Sequence, residues 1–343
     1  MPALPPGDRP CLKTRDPRAA GGGSHGAFTW GVLERLLEDE RIVIEGISGS
    51  SAGAINATVL AHGQGTGGRE GGILALKDFW QRMVATTPSG GCVFDPAGRK
   101  AGPAMDALIF MSRLLTPGQI NPFNLNLLRD VLAAQIDFGV FREDSPIKLF
   151  VAATQIATGR AQIFATAEVS LDVLLASACL PSFNQAVVID DESYWDGGLT
   201  ANPPLRPLIY HCDAPDMLIV AVNPRRRGDA RATADEIRQR LTEISFNAAA
   251  ASELEGIALA KKEAERDRWS LGRLDRRLRR LNLHMIDAED YMNRLNVSSR
   301  INTDAGFIYA LRKEGRDRTH AWLRRNFRYI GTRSSFELAK HFA

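Results

Sequence analysis

A serine at the centre of a glycine-bounded pentapeptide is the first group in this chain whose setting suits chemistry. Residues 49–53 read Gly-Ser-Ser-Ala-Gly, a G-x-S-x-G pattern with Ser51 at its centre and with Gly49 and Gly53 at its ends. An apolar segment precedes the pattern at 42–47 and a helical pattern follows it, so the expected order is strand, tight turn, helix. Such an elbow exposes the central serine, and the helix N-terminus favours developing negative charge. The pattern therefore predicts Ser51 as a nucleophile.

A run of glycines lies ahead of the first helical pattern. Residues 21–26 read Gly-Gly-Gly-Ser-His-Gly, which places glycines at Gly21, Gly22, Gly23 and Gly26. Consecutive glycines let backbone N–H groups converge on an oxyanion or a phosphate. The run also matches G-x-G-x-x-G, so a dinucleotide site is a competing interpretation. Against that site, no strongly apolar strand precedes the run and no clear acidic ribose ligand follows it.

A third feature is an aspartate followed by two glycines. Asp196, Gly197 and Gly198 come after the strand-like segment 187–190. An aspartate before glycine is usually a turn residue, but the aromatic residues that precede Asp196 indicate partial burial. Histidines at positions 62, 211, 284, 320 and 341 lie in no motif that suggests catalysis. His25 is expected either at a helix surface or against a phosphate headgroup.

Taken in order, GGGSHG, GSSAG and DGG resemble the patatin-like phospholipase family, as do the stretches GAFTWGVLERLL, EGISGSSAGAINA, LASACLP and YWDGG. The resemblance covers roughly residues 19–225. It implies that Ser51 is the nucleophile and Asp196 its base in a Ser-Asp dyad, without a histidine. It also implies an oxyanion hole formed by the backbone of Gly22, Gly23 and Ser24. The implied reaction is hydrolysis of fatty-acyl esters of lipids or phospholipids through an acyl-enzyme, with no metal and no organic cofactor.

Strands that alternate with helices up to residue 225 indicate an α/β fold, which the resemblance specifies as a three-layer α/β/α patatin-like sheet. Segments 147–154 and 217–222 have the continuous apolar character of buried strands. A glycine-rich loop is expected at 63–72. The expected division is a tail at 1–18, a catalytic domain at 19–225 and a mostly helical C-terminal extension at 226–343.

The stretch ahead of the glycine run departs from the family pattern. Family members carry an apolar strand there, whereas residues 12–20 include Arg15, Asp16, Pro17 and Arg18. Proline lacks a ladder donor, and unpaired buried charges are costly. Either the strand is missing or badly formed, or the stretch carries a local sequence error such as a compensated frameshift. Residues 1–18 are accordingly expected to form a polar tail outside the sheet that need not adopt a fixed structure.

Composition and charge narrow the class of protein. The 343 residues are 44% hydrophobic and 24% charged, with a net charge of +3, which does not favour nucleic acid as a partner. The four cysteines are scattered, which disfavours a zinc site and a disulfide framework. The sequence has no apolar run of about 18 residues and no signal-peptide pattern at 1–20. The expected location is the cytoplasm, with peripheral attachment to a membrane as the alternative.

Two segments beyond the motifs bear on lipid binding. Residues 104–115 are apolar around most of a helix, which favours a buried helix slightly over a mobile lid. Residues 271–281 repeat leucines at helical spacing against a basic face. That face is expected to be solvated, or to contact anionic lipid through arginines; these are Arg273, Arg276, Arg277 and Arg280.

Two alternatives to a lipid acyl-hydrolase stay open at this point. One is a general carboxylesterase or acyltransferase that acts on small soluble esters. The other is a degenerate family member that lost its first strand and binds lipid or protein without catalysis.

Overall fold

The computed structural model describes the backbone of residues 11–15 and, beyond them, residues 23–86, 110–112, 114–222, 234–267, 269, 272–295 and 297–336. The strands are β1 (Cys11–Arg15), β2 (Gly46–Gly49), β3 (Lys148–Gln155), β4 (Arg160–Ala165), β5 (Val187–Ile189), β6 (Glu192–Asp196), β7 (Asp216–Ala221) and β8 (Asn282–Asp287). The helices are α1 (Gly26–Leu37), α2 (Ala52–Ala85), α3 (Pro117–Ile120), α4 (Leu127–Gln135), α5 (Phe138–Asp144), α6 (Leu171–Ser177), α7 (Arg206–His211), α8 (Ala234–Arg266), α9 (Arg273–Arg280), α10 (Glu289–Met292) and α11 (Ala305–Asn326).

All eight strands belong to one mixed sheet. Hydrogen-bonded neighbours follow the order β5, β6, β3, β2, β1, β7, β8, and β4 pairs with β3 as well. The pairs β3–β2, β2–β1, β1–β7 and β7–β8 are parallel. The pairs β3–β4, β3–β6 and β5–β6 are antiparallel. Parallel strands are buried on both faces, which agrees with β7 being buried along its whole length.

Alternating side chains of the sheet pack into two separate cores. Leu218 and Val220 of β7 point into a core formed with α1, α2, α4, α6 and α11. Met217 and Ile219 point to the opposite face, into a core with α7, α8 and α9. Because successive strand residues face opposite sides, helices cover both faces and the fold is the predicted three-layer α/β/α arrangement.

Most of the predicted elements are confirmed. Strand β3 includes residues 148–154 of the predicted strand 147–154, and β7 includes 217–221 of the predicted strand 217–222; α1 forms the helix expected after the glycine run. The prediction of a glycine-rich loop over residues 63–72 is wrong in its extent. Helix α2 continues through it, and non-helical backbone angles are confined to Gly67 and Gly68. Two glycines tolerate such a break because they lack a Cβ.

The N-terminal expectation is corrected at residues 11–15. This stretch forms β1, a parallel strand between β2 and β7, with Leu12 aligned to Ile47 on one side and to Leu218 on the other. Arg15 is the last residue of this strand, and residues 16–18 lie outside the described residues. The missing strand that motivated the non-catalytic alternative is therefore present.

The C-terminal extension is mostly helical, as expected, but it also supplies a strand. Residues Asn282–Asp287 form β8, which pairs in parallel with β7 at the edge of the sheet. Helix α11 packs on α1 at very short range. A Cβ on Gly31 would lie 2.0 Å from the Arg312 carbonyl oxygen, and one on Gly315 would lie 2.1 Å from that of Phe28. The extension thus shares the core of the catalytic sheet.

Long helices in this fold remain too polar to span a bilayer. Among the described residues, no helix combines the length and the hydropathy that a membrane crossing requires. The segment 104–115 lies mostly outside the described residues, with only 110–112, 114 and 115 inside them. The choice between buried helix and lid therefore stays a prediction.

Candidate active site

Ser51 occupies a sharp turn between a strand and a helix. Strand β2 ends at Gly49, helix α2 begins at Ala52, and Ser51 has a φ of 53°. A positive φ is unfavourable for a serine and is held only where the surrounding structure fixes it. A Cβ on Gly49 would lie 2.8 Å from the nitrogen of Ala54, so a side chain there would collide with the first turn of the helix. The sequence folds into the expected elbow for this steric reason.

The register of β3 brings the elbow and Asp196 together. Strand β4 pairs with β3 along Phe150–Gln155, so it occupies one edge of β3. The other edge is shared by β2, which places Gly49 opposite Val151, and by β6, which places Asp196 opposite Ala153. Two residues along a strand correspond to about 7 Å. Strands β2 and β6 therefore run toward each other along one edge and end a short distance apart.

The residue after Asp196, Gly197, lies in close contact with the backbone of β3. A Cβ on Gly197 would lie 2.0 Å from the carbonyl oxygen of Ala152, the residue between the two pairing positions. The carboxylate of Asp196 accepts a 2.7 Å hydrogen bond from the N–H of Gly198 through Oδ1. Thr154 Oγ1 donates to the carbonyl of Asp196 at 2.8 Å. The Asp-Gly-Gly turn is thus fixed on the strand that also aligns the elbow.

The end of α6 supports both residues. The N–H of Ser51 donates to the carbonyl of Ser177 at 3.1 Å and to its hydroxyl at 2.9 Å. The N–H of Asp196 donates to the carbonyl of Cys179 at 2.7 Å. Burial, together with the negative charge of Asp196, raises the pKa of the Cys179 thiol to about 12. The segment 177–179 therefore connects the two candidate residues through backbone hydrogen bonds.

Both candidate residues are enclosed. The exposed fraction is 1% for Ser51 and 0% for Asp196. The Ser51 hydroxyl has no hydrogen-bond partner among the described residues. A buried hydroxyl without a partner is unusual and marks a position where another group can be received. The elbow therefore presents a buried hydroxyl that no described side chain or backbone group engages.

The glycine loop is only partly described. Gly21 and Gly22 lie outside the described residues, whereas Gly23 and Ser24 lie inside them and are buried. The carbonyl of Gly23 accepts the N–H of Gly26 at 2.6 Å, and Asn56 donates to the carbonyl of Gly26 at 3.1 Å. The loop is thereby attached to α2, the helix that begins at the nucleophile elbow.

One of the predicted oxyanion donors is engaged elsewhere. The N–H of Ser24 donates to the carbonyl of Arg300 at 3.0 Å. His25 is buried, and its Nε2 lies 2.9 Å from the Ser299 hydroxyl, which corrects the expectation of a surface position. Arg300 in turn forms a buried ion pair with Glu243 of α8, at 3.4 Å. The C-terminal extension thus covers the glycine loop through residues that no motif identifies.

Three further histidines contact residues outside the elbow and the Asp-Gly-Gly turn. Nε2 of His284 is 3.0 Å from Asp216 Oδ1, at the start of β7, which is the opposite end of the sheet from the elbow. His211 stacks on Phe150, and the side chain of His62 accepts the N–H of Asp137. His320 is exposed on α11, and His341 lies outside the described residues.

Several residues that contact the elbow or the Asp-Gly-Gly turn were not predicted as site residues from the sequence. Ser177 and Cys179 belong to the stretch LASACLP, which the family resemblance includes. Their hydrogen-bond partners, Ser51 and Asp196, are distant in sequence. Asn202 lies 3.4 Å from the Ser50 hydroxyl, and Phe246 contacts Gly198, where a Cβ would lie 2.9 Å from its ring. Their roles depend on contacts between distant segments, so a single sequence does not reveal them.

Comparisons with known proteins identify the family of this chain. No curated protein matches the chain in sequence. Among solved structures, the chain is similar to VipD from Legionella pneumophila, with 14% identity and a TM-score of 0.45, over 93% of this chain and 67% of that one. The family model for patatin-like phospholipases matches residues 20–209, more than half of the chain. The chain therefore belongs to the patatin-like phospholipase family.

Proposed function

We propose that this protein is a serine acyl-hydrolase that cleaves fatty-acyl esters of lipids with Ser51 as nucleophile and Asp196 as base. Membership of the patatin-like phospholipase family supports a lipid acyl-hydrolase in general. The observation that carries the finer proposal is the shared edge of β3, along which the elbow and the Asp-Gly-Gly turn end opposite Val151 and Ala153.

In this mechanism Ser51 attacks the ester carbonyl while Asp196 accepts the hydroxyl proton. An acyl-enzyme forms, the alcohol leaves with a proton, and water attacks the acyl-enzyme with the same aspartate as base. Asp196 Oδ1 accepts a hydrogen bond from the Gly198 N–H, which fixes the orientation of the carboxylate. The N-terminus of α2 lies directly after Ser51 and favours the developing negative charge.

The oxyanion donors in this proposal are the amides of the glycine loop. Gly22 and Gly23 are proposed as the donors, because the Ser24 amide already donates to the carbonyl of Arg300. Ser24 contributes only when that hydrogen bond is broken. Removal of a single oxyanion donor costs about 10²–10³-fold in rate, so the order of this loop governs activity.

The nucleophile is tested by labelling with a fluorophosphonate probe, which reacts only with an activated serine. Ser51→Ala should lose labelling and hydrolysis of a soluble ester, and loss of such a nucleophile costs about 10⁶-fold. Ser48→Ala is the matched control, because Ser48 is also buried and its hydroxyl also has no hydrogen-bond partner in the described part of the chain. Persistent labelling of Ser51→Ala would assign the nucleophile to another residue.

We also propose contact with anionic lipid through the basic face of α9. Arg273, Arg276 and Arg280 are exposed, so their guanidinium groups can meet a lipid surface. Arg277 is half-buried, and its guanidinium donates to the carbonyls of Ile209 and Asp213 at 3.3 Å. Glutamine at 273, 276 and 280 should weaken binding to anionic vesicles, and added salt should have the same effect on the parent protein. Unchanged binding at low salt would reject this contact.

A further inference from the structure

An ordered, uncharged loop with exposed apolar side chains lies between α3 and α4. We name residues 121–127 the apolar loop. Its Phe123 is 84% exposed, Leu125 75% and Leu127 57%. A third of the exposed large apolar side chains in the described part of the chain fall within residues 110–127. Clusters of exposed apolar side chains on a protein surface mark an interaction site.

The charge pattern identifies the kind of surface that this loop fits. From Leu114 to Leu128 the sequence contains no Asp, Glu, Lys or Arg. The first charge beyond the loop, Arg129, is paired with Asp172 at 2.5 Å. Protein interfaces of ordinary size have a polar rim around their apolar core, whereas a lipid surface accepts an apolar tip that brings no charge with it.

The loop also satisfies part of its own backbone, which favours contact with an apolar medium. Asn121 donates from Nδ2 to the Leu125 carbonyl at 2.8 Å and accepts the Leu125 N–H at 2.9 Å. The N–H of Asn124 donates to the Asn121 carbonyl at 3.0 Å, and Asn126 accepts the N–H of Leu128 at 3.1 Å. Polar backbone groups without partners are costly in an apolar medium. Asn121 and Asn126 therefore pair backbone groups of a loop whose apolar side chains stay exposed.

The apolar loop is attached to the candidate active site. Gln185 donates to the Asn121 carbonyl at 3.0 Å, and Asn124 and Asn126 line a cavity of about 40 Å³ together with Cys179. The carbonyl of Cys179 binds the Asp196 amide, as described above. Leu128 is buried in the core beneath the loop. A surface that meets the loop would therefore lie beside the site that holds Ser51.

We propose that the apolar loop inserts into the lipid surface on which the substrate is presented, with Phe123 and Leu125 as its deepest residues. This inference rests on the proposed function for the nature of the surface, and it assigns the contact to a segment other than the basic face of α9. Insertion adds to binding through buried apolar area and is therefore insensitive to salt.

The test measures vesicle binding in the full-length Ser51→Ala background, so that hydrolysis does not change the lipid. The probe is a neutral phosphatidylcholine vesicle, on which arginines gain little. Phe123→Ser with Leu125→Ser should bind at least about tenfold more weakly, since each lost side chain removes buried apolar area. The control is Leu259→Ser on α8, which removes an equally exposed apolar side chain, 67% exposed, and should bind within about twofold of the parent.

A second pair of variants introduces tryptophan at an apolar position and reports how deeply that position enters the lipid. Fluorescence of Phe123→Trp should be quenched by brominated lipid, whereas that of Leu259→Trp should not. Equal binding of the serine double variant and the parent, or absence of binding by the parent, would overturn the proposal. A fall in molar mass by light scattering in the double variant, with vesicle binding unchanged, would overturn it in favour of a second copy of the chain. Failure of Ser51 labelling would instead contradict the proposed function and leave these results unaffected.

Discussion

The backbone N–H of Asp196 donates to the carbonyl of Cys179 at 2.7 Å. Two residues earlier, Ser177 binds the N–H of Ser51 through both its carbonyl and its hydroxyl. A turn of three residues thus connects two side chains that are 145 positions apart in sequence. Errors in the position of this turn would move both members of the proposed dyad, so its mutations should affect activity more than stability.

That expectation is tested with Ser177→Ala. The change removes one hydrogen bond to the Ser51 amide but leaves the carbonyl bond, so the loss of stability should be about 1 kcal/mol. Hydrolysis of a soluble ester should fall by more than this loss of stability explains, because the elbow is no longer held at two points. Melting temperature and kcat are measured together. Full activity would show that the carbonyl bond alone fixes the elbow.

The base is tested with Asp196→Asn. Asparagine retains an Oδ1 that can accept the Gly198 N–H, so the fold should be preserved while proton transfer is lost. Activity should fall by about 10²–10⁴-fold, the usual contribution of a positioned base. Single substitutions of His25, His62, His211, His284 and His320 by alanine should each retain most activity. The acid limb of the pH–rate profile should lie below about 6.5, where imidazole titrates. A histidine variant as inactive as Asp196→Asn would restore a triad.

Gly197→Ala tests the close approach of the Asp-Gly-Gly turn to β3. The new Cβ would meet the Ala152 carbonyl oxygen at 2.0 Å, and that oxygen is a backbone atom of a strand that cannot turn aside as a flexible side chain could. We expect a loss of about 3 kcal/mol in the free energy of unfolding, or failure to fold. The matched control is Gly256→Ala on α8, where the Cβ meets nothing within 4 Å and should stabilise the helix by about 0.5–1 kcal/mol. Chemical denaturation of both variants provides the measurement.

Removal of the first strand should be strongly destabilising. Deletion of residues 1–15 removes β1, and with it the hydrogen bonds to β2 and to β7 on either side. Deletion of residues 1–10 retains the strand and should have the smaller effect on melting temperature. An N-terminal tail outside the sheet, as the sequence suggests, would instead make the two deletions equally harmless.

Reactivity of Cys179 should report the intactness of the site. Burial and the neighbouring charge of Asp196 raise its pKa from 9.0 to about 12, so the neutral thiol is favoured in the folded state. The stability that this preference contributes is present below pH 9 and is lost as the pH rises from 9 toward 12. Iodoacetamide at pH 8 should leave Cys179 unmodified in the folded protein and modify it in urea, as mass spectrometry of the peptide would show. Modification in the native protein would contradict the enclosed site.

The sequence by itself determined the local chemistry of this protein. Gly49, Ser51 and Gly53 specify an elbow within five residues, since strand, glycine and helix signals act over short distances. The alternation of apolar runs and helical patterns likewise determined the α/β class. Composition was misleading at β1, because Pro17 and the neighbouring charges disfavour a strand ahead of the glycine run, whereas residues 11–15 pair with β2 on one side and with β7 on the other.

Tertiary structure alone decided which distant segments meet. Pairing of β2 and β6 on one edge of β3 places Asp196 near the elbow, and this register depends on contacts across the sheet that no local pattern encodes. The same holds for Arg300, which engages the Ser24 amide from 276 positions away, and for the exposure of Phe123. Periodicity specifies that a side chain is apolar, whereas its burial depends on whether another element packs against it.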